Sequence, residues 1–483
     1  MSSNLKEKTA GALFWSTLNN GTMQVLNLLF GICLSRLLDV ADYGMVGMLT
    51  IFSVIATSLQ ESGFFIALGN KKEVTHRDYN AVFWFNIGMS AFLYLSLFLA
   101  SPFIADFYGN EDLVPLARYT FIGFFIGSFG IVHSAYLYRN LMTRQRAIAT
   151  LTALLISGCV GVGMAYWGFS YWGIATQSIL YIAITTILYT YFSKWRPTWE
   201  FSFQPIREMI GTSSKLLITN LCNHLNQHLL SVFLGRFYDA YQVGLFNQAN
   251  KWNTMGHSTL TSIIQGVAIP TFREVEPTDT ERLRRVLRKM VRFTVFISFP
   301  AMGGLALVAP ELIHITITDK WIESAYLLRY LAIGGAVFPL IQLYTHFIIS
   351  RGRTEVYMWA TLAQAMVQIA CVYFLSSQGT LTMLCAYIGV NVVWGGVWQY
   401  FIWKEVGWSV WLLLRQVFPF GLSALVSIGI SYFVGSLIEE VYARFFVQCA
   451  VVGAFYFAIL WVCQVEECRE ILHFVKRKRS KNE

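Results

Sequence analysis

Apolar residues run along this chain in long blocks parted by short polar intervals. The blocks lie near 11–37, 43–67, 80–104, 113–138, 147–168, 171–192, 209–235, 243–269, 291–317, 325–350, 356–376, 380–403, 412–437 and 445–464. A helix needs about 20 apolar residues to cross a bilayer. The pattern therefore predicts an all-α integral membrane protein with about 14 transmembrane helices.

The blocks are not equally apolar. The first carries Ser16, Asn19, Asn20, Gln24 and Asn27, and the second carries Thr50, Ser53, Thr57, Gln60 and Glu61. The seventh carries Asn220, Asn223, His224, Gln227, His228 and Ser231. Of these, Asn220, His224, Gln227 and Ser231 share one helical face. The eighth carries Asn247, Asn250, Lys251, Thr254, His257, Thr261 and Gln265 in a second stripe. Polar groups find no partners in hydrocarbon. Helix–helix hydrogen bonding, worth about 0.6 kcal/mol per contact, accounts for one or two such residues per helix. Four or five in register on four helices predict a water-filled central cavity. The last two blocks are more apolar, as expected of a peripheral pair beside a twelve-helix core.

The chain also repeats itself. Leu34, Arg36, Asp39 and Gly44 recur 200 residues later as Leu234, Arg236, Asp239 and Gly244, and upstream Gly11 and Asn20 recur as Gly211 and Asn220. Each copy closes a long apolar run. The repeat predicts two related six-helix halves, with Arg36, Asp39, Gly44, Arg236, Asp239 and Gly244 at a gate. Two halves moving about a shared site is a common transporter plan, so transport ranks ahead of catalysis.

Composition agrees. The chain is 55% hydrophobic and only 13% charged, against about 25% charged in soluble domains, and its mean hydropathy is +0.52. The net charge of +9 does not indicate nucleic acid, because the basic residues sit in short loops where they set topology. Alternate loops hold Lys71, Lys72 and Arg77; Arg139, Arg144 and Arg146; Lys194, Arg196 and Arg207; and Arg351, Arg353, Lys404 and Arg415. The opposite loops are acidic, with Asp39, Asp42, Asp106, Glu111, Asp112, Asp239, Asp319, Glu323, Glu439 and Glu440. This alternation predicts both termini in the cytoplasm. Lys6 and Lys8 lead into the first block without a small-residue cleavage motif, so that block reads as an uncleaved helix.

The expected layout is a six-helix lobe over 1–200, the start of a second lobe over 201–270, and a basic amphipathic linker helix over 271–290. The rest of the second lobe follows over 291–405, the extra pair over 406–465 and a basic tail over 466–483. The linker helix suits anionic head groups or the docking of a partner enzyme.

Lys215, Lys251, Arg118 and Glu61 fall within blocks, where a central charge costs roughly 2.5–3.5 kcal/mol. Lys251 lies deepest, on a polar stripe, which points to the cavity. Lys215 and Arg118 lie near block ends, where snorkelling is the ordinary alternative, and Glu61 is a candidate for ion coupling or for pairing with Lys71 or Lys72. The candidate cavity lining is Lys251, Arg118, Lys215, Asn220, His224, Gln227, Asn247, Asn250, His257, Asn20 and Asn27. Its cationic excess suits an anionic, phosphate-bearing cargo. The histidines read as polar lining rather than metal ligands. The eight cysteines show no ligand spacing, and no catalytic, nucleotide-binding or metal motif is present. No metal, no cofactor and no enzymatic activity are expected.

Several motifs carry a resemblance. They are Leu34-Ser35-Arg36 followed by Asp42-Tyr43-Gly44; Ser62-Gly63-Phe64; Phe83-Trp84-Phe85-Asn86; Ser101-Pro102-Phe103-Ile104-Ala105 with Phe107-Tyr108; and Tyr138-Arg139. Lys194-Trp195-Arg196-Pro197, Gly235-Arg236-Phe237, Gly244, Ala249-Asn250-Lys251, Lys320-Trp321 and Arg351-Gly352-Arg353 complete the order. By these the chain resembles bacterial polysaccharide transporters of the Wzx type, in the superfamily of the MATE drug exporters and the MurJ lipid flippase. The resemblance spans nearly the whole chain. It implies a MATE-like, alternating-access fold in the bacterial inner membrane. It also implies a flippase that moves polyprenyl-pyrophosphate-linked oligosaccharide to the periplasmic leaflet for O-antigen, capsule or exopolysaccharide assembly. Membrane lipids are expected partners, as are a polysaccharide polymerase and glycosyltransferases. Many relatives carry an Asp shortly before Gly-Arg-Phe. This chain has Gln227, His228 and Ser231 there, so ion coupling through that Asp does not carry over. A MATE-type cation antiporter and a polytopic glycan-transferring enzyme are the alternatives.

Overall fold

The structure is a computed structural model. It describes residues 3–61, 64, 68, 71, 73–200, 202–276, 279–465 and 467; the side chains of 3–10, 12, 13, 61, 208–216, 218 and 219 lie outside the description. The described helices are α1 (Ser3–Leu37), α2 (Val40–Glu61), α3 (His76–Tyr108), α4 (Leu113–Thr120), α5 (Ile122–Arg139), α6 (Thr143–Tyr166), α7 (Tyr171–Phe192) and α8 (Gln204–Phe237). They continue as α9 (Ala240–Glu274), α10 (Thr280–Leu307), α11 (Ala309–Ile317), α12 (Ile322–Ser350), α13 (Thr354–Phe374), α14 (Thr380–Val406), α15 (Val410–Ser436) and α16 (Val441–Val462). The protein is thus an all-α membrane protein. Among the described residues, eleven spans are long and apolar enough to cross a membrane, with α4 and α5 counted together. The helices α1, α8 and α9 are absent from that set, and all three carry polar stripes.

Local chemistry sets the helix ends. Thr75 caps α3: its backbone N–H donates to Asp78 Oδ2 (2.8 Å), and the Asp78 N–H points back at Thr75 Oγ1. This is a capping box, which satisfies two otherwise orphaned donors. Lys71 Nζ reaches the other Asp78 oxygen at 2.7 Å. At the far end Gly109 adopts φ 67°, and its N–H closes the last turn. Glycine meets that left-handed geometry without steric cost.

The chain divides by contact into residues Met1–Gly244 and Leu245–Glu483. The division falls after Gly244 rather than near residue 200 because α8 packs on α2 and α3 of the first unit. In that unit α6 also packs on α7 and on α1, and α5 packs on α3 and α7. Small residues permit this closeness, as expected where helices associate in lipid. A Cβ at Gly173 would stand 3.0 Å from the Gly161 carbonyl oxygen. The segment after α7 straps back over α3. Trp195 is 6% exposed and sits against Tyr79, Phe83 and His133. Its indole N–H donates to His76 Nδ1 (3.0 Å), and the Thr198 N–H donates to Asn80 Oδ1 (2.9 Å). The Lys194-Trp195-Arg196-Pro197 motif is therefore a structural strap.

In the second unit α10 packs on α12 and α15, α12 on α14, and α15 on α16. Its core gathers Phe296, Phe347, Trp398, Trp408, Phe420 and Tyr456. The extra pair α15–α16 is fastened to α10. Tyr456 donates to the Phe296 carbonyl (2.9 Å), and Arg292 donates to Gln416 Oε1 (3.0 Å) and Glu467 Oε2 (2.7 Å). The separate linker helix expected over 271–290 does not form. Residues 280–290 are the first turns of α10, started by Asp279, whose side chain accepts from the Arg282 N–H (2.9 Å). Their amphipathic period continues in phase into the span, so nothing breaks the helix. Most of the basic tail lies outside the described residues.

Replacing Trp195 with Ala should lower unfolding stability by about 3–5 kcal/mol, the usual cost of emptying an aromatic core site. Phe92→Ala, at a site 66% exposed, should cost far less. Denaturant titration in mixed micelles reads both; equal effects would remove the strap from the list of stabilising contacts.

Candidate functional site

The repeated motif forms one joint. Asp39 precedes the first residue of α2, and Asp239 precedes the first residue of α9. At the first, Asp42 Oδ2 accepts from the Asp39 N–H (3.0 Å); at the second, Asp239 Oδ1 accepts from the Gln242 N–H (2.9 Å). The two copies thus use opposite halves of the capping box. Four residues into each helix stands the repeated glycine. A Cβ at Gly44 would stand 1.7 Å from the Ala240 carbonyl oxygen, and one at Gly244 would stand 2.0 Å from the Val40 carbonyl oxygen. Each glycine receives the first residue of the other copy, so the contact is reciprocal, as a two-fold axis would make it. Nearby, Arg236 Nη1 donates to the Phe107 carbonyl (2.6 Å), and the guanidinium lies 5.2 Å from the Phe107 ring centroid. Tyr108 donates to the Met48 carbonyl (3.1 Å), which ties α3 to α2.

The polar stripes divide into exposed and packed residues. On α1, Asn20, Gln24 and Asn27 are exposed; on α8, Asn220 and Gln227 are exposed, while His224 is half-buried and Ser231 buried. On α9, Asn247, Asn250 and Lys251 are half-buried, and Thr254 and Gln265 are exposed. By contrast α2 turns much of its polarity inward: Thr50 donates to the Val46 carbonyl (3.0 Å), Thr57 to the Ser53 carbonyl (2.8 Å), and Gln60 is 1% exposed. Exposed amides in mid-span cannot be left to hydrocarbon. These stripes are the part of the spans that hydrocarbon cannot satisfy.

The charged candidates part company. Lys251 makes no ion pair among the described residues. Arg118 is committed to packing: Nε donates to Ser101 Oγ (3.0 Å), and the guanidinium stands 4.3 Å from the Phe98 ring centroid. His257 is 8% exposed, and its ring lies against Phe338 with centroids 4.7 Å apart, so it fills core rather than lining space. The side chains of Lys215 and Glu61 lie outside the described residues. No group of three or more His, Cys, Asp or Glu suited to a metal occurs among the described residues.

Two features escaped the sequence reading. Asn253 is 7% exposed, and its Oδ1 has no hydrogen-bond partner among the described residues; a Cβ at Gly335 would stand 2.4 Å from that oxygen. Its place three residues after Asn250, on the same stripe, was the available signal. The other is a polar cavity at Arg146, a residue whose loop position had marked it as a topology charge.

A helical membrane fold with a motif repeated at a two-fold joint and polar-striped helices defines a transporter of the flippase and exporter class. Residues 33–326 match the family described as "Polysaccharide biosynthesis protein", and the chain belongs to that family. It is similar to lipopolysaccharide biosynthesis protein WzxC of Escherichia coli (strain K12), with 24% identity over 90% of this chain and 89% of that protein. It is similar as well to teichuronic acid biosynthesis protein TuaB of Bacillus subtilis (strain 168), with 25% identity over 81% of this chain and 82% of that one. Among solved structures, lipid II flippase MurJ in its inward closed conformation has the same fold. Its TM-score is 0.74 at 13% identity, over 95% of this chain and 100% of that one.

Because the two glycine contacts form one joint, their effects should not add. Gly44→Ala and Gly244→Ala should each cost about 1–3 kcal/mol by overpacking. The double variant should cost less than their sum by about 0.5–3 kcal/mol, since the first Cβ already parts the helix starts. Additive losses in reversible unfolding would mean that the two contacts are independent.

Proposed function

We propose that the protein moves polyprenyl-pyrophosphate-linked oligosaccharides from the cytoplasmic to the periplasmic leaflet of a bacterial inner membrane, for assembly of a surface polysaccharide. Family membership supports the cargo class. The single observation that carries the mechanism is the set of exposed polar stripes on α1, α8 and α9, the helices too polar to pass as lipid-facing spans. Alternating exposure of these stripes to the two membrane faces lets a glycan cross without meeting hydrocarbon, while the prenyl chain stays in lipid. Lys251 supplies the positive charge for the pyrophosphate, with Asn220, Gln227, Asn247 and Asn250 offering amides to sugar hydroxyls. In this reading Asn20 and Asn27 line the same route, and the joint of Gly44 and Gly244 is the contact that opens as the site changes face. About 14 spans, with both termini in the cytoplasm, complete the arrangement.

Energetics favour the direction. A pyrophosphate diester carries about two negative charges, and moving each outward across an inside-negative membrane yields about 2.3 kcal/mol per 100 mV. The gradient in potential alone supplies a driving force, so no ATPase is required. A polymerase and glycosyltransferases are the partners this role implies.

Deleting the gene should abolish the surface polymer and leave complete lipid-linked repeat units on the cytoplasmic leaflet, detected by lipid extraction and glycan profiling. Truncated repeat units would instead indicate an enzyme, and altered dye efflux with normal polymer would indicate an antiporter. Lys251→Ala should reproduce the deletion at normal membrane abundance, with polymer reduced about tenfold or more, the size of one lost charge-assisted contact. Wild-type polymer in that variant would remove Lys251 from the route.

A further inference from the structure

The first unit holds a second polar feature, apart from the joint. A cavity of about 130 Å³ lies between α1, α6 and α7, lined by Ser16, Asn19 and Asn20 of α1, by Thr143, Arg146 and Thr150 of α6, and by Tyr189. Hydroxyls, amides and a guanidinium dominate its wall, and no Asp or Glu is among the described lining residues. An apolar void of this size stays empty, whereas a polar one takes an occupant that satisfies its walls. The wall is cationic and rich in donors, so the fitting occupant is an anion.

Arg146 states that need most directly. Its Nε is buried and has no hydrogen-bond partner among the described residues. One face of the guanidinium is covered by the Tyr138 ring, whose centroid lies 5.4 Å away. A guanidinium presents donors in a planar fork that matches phosphate oxygens. Around it, Thr150 Oγ1 lies 3.0 Å from Asn19 Oδ1 and 3.0 Å from the Arg146 carbonyl. Accepting from Thr150 fixes the Asn19 amide and leaves its two N–H donors to serve another group. The helix adds to the field. Thr143 is the first residue of α6, a helix of 24 residues, and Met142 before it provides no side-chain cap. The positive end of the helix dipole therefore lies at this cavity. Arg144, two residues away, is held over the Trp15 ring at 5.5 Å and is not among the described lining residues.

We propose that this cavity binds a phosphate group carried on a membrane lipid, with Arg146 as the principal contact. Two lipids bring that chemistry: the pyrophosphate of the proposed cargo, and the phosphate head group of an ordinary glycerophospholipid. The first source rests on the flippase reading and the second does not.

The test uses the full-length protein in detergent micelles, with native mass spectrometry reading retention of two probes: a polyprenyl pyrophosphate and phosphatidylglycerol. Arg146→Gln, which removes the charge and the fork but keeps a polar side chain, should weaken retention of at least one probe about tenfold. Arg146→Lys should recover part of it, because charge returns without the fork. Loss confined to the polyprenyl pyrophosphate assigns the cavity to the cargo, and loss that includes phosphatidylglycerol assigns it to lipid head groups; both support the proposal. Wild-type retention of both probes by a folded Arg146→Gln protein overturns it. Should that variant fail to fold, Thr143→Val removes a lining hydroxyl from the same wall and takes its place, with unchanged retention again overturning the site. The gene-deletion phenotype judges the flippase reading separately, since it does not depend on Arg146.

Discussion

Hydrocarbon offers a polar group no partner, and that constraint orders this molecule from its backbone outward. It forces every span into a helix, because only a helix satisfies its own N–H and C=O groups. It then sorts the side chains. Most spans are apolar enough to face lipid, but α1, α8 and α9 carry amides, hydroxyls, imidazoles and Lys251 in stripes that lipid would penalise. Polar groups elsewhere in the spans, and one on α9, are taken up inside the protein. Thr50 and Thr57 bond back to their own helix, Arg118 is stacked on Phe98, and His257 lies against Phe338. What remains exposed on α1 and α8 is the part that packing does not account for.

The joint at Gly44 and Gly244 shows how a duplicated sequence becomes a mechanical element. A glycine alone is a weak signal, because membrane helices use small residues widely. Here the same residue at the same place in two copies lets each helix start seat against the other. The two copies stop their helices with Arg-containing turns and restart them with aspartate caps, and those caps set where the glycine falls. A side chain at either position would meet a carbonyl oxygen rather than a pliable side chain, so the geometry tolerates little variation.

Charge in this protein is also divided by role. Lys71 is paired with Asp78 and Arg292 with Glu467, and these pairs fix local structure. Arg139 donates to the carbonyls of Leu68 (3.1 Å) and Lys71 (2.6 Å), holding the segment before α3. Such groups explain themselves. Lys251 and the buried Nε of Arg146 do not, since neither has an acidic partner among the described residues. A cation kept in or near a membrane without a counter-ion is costly, and a phosphate group is the kind of partner that would relieve that cost. Both readings therefore follow from one physical rule, applied where the protein leaves charge uncompensated.

The class of fold, the places of the helices and the polar stripes are legible in the chain before it folds. Those properties follow from the period and length of apolar runs, which act locally through backbone hydrogen bonding and transfer to lipid. The repeat at Arg36–Gly44 and Arg236–Gly244 was also legible, because identical spacing survives in the chain whatever it packs against. Tertiary structure alone decided which polar residues stay open. Asn20 and Asn27 remained exposed, whereas Arg118 and His257, equally polar on paper, found partners on neighbouring helices. It also decided that residues 280–290 belong to the bundle as part of α10, because Leu283 and Leu287 are buried in the core of the second unit. And it alone assembled the cavity at Arg146, whose walls come from three helices distant in sequence. A loop arginine reads only as a topology charge until Asn19, Thr143 and Tyr189 are brought around it.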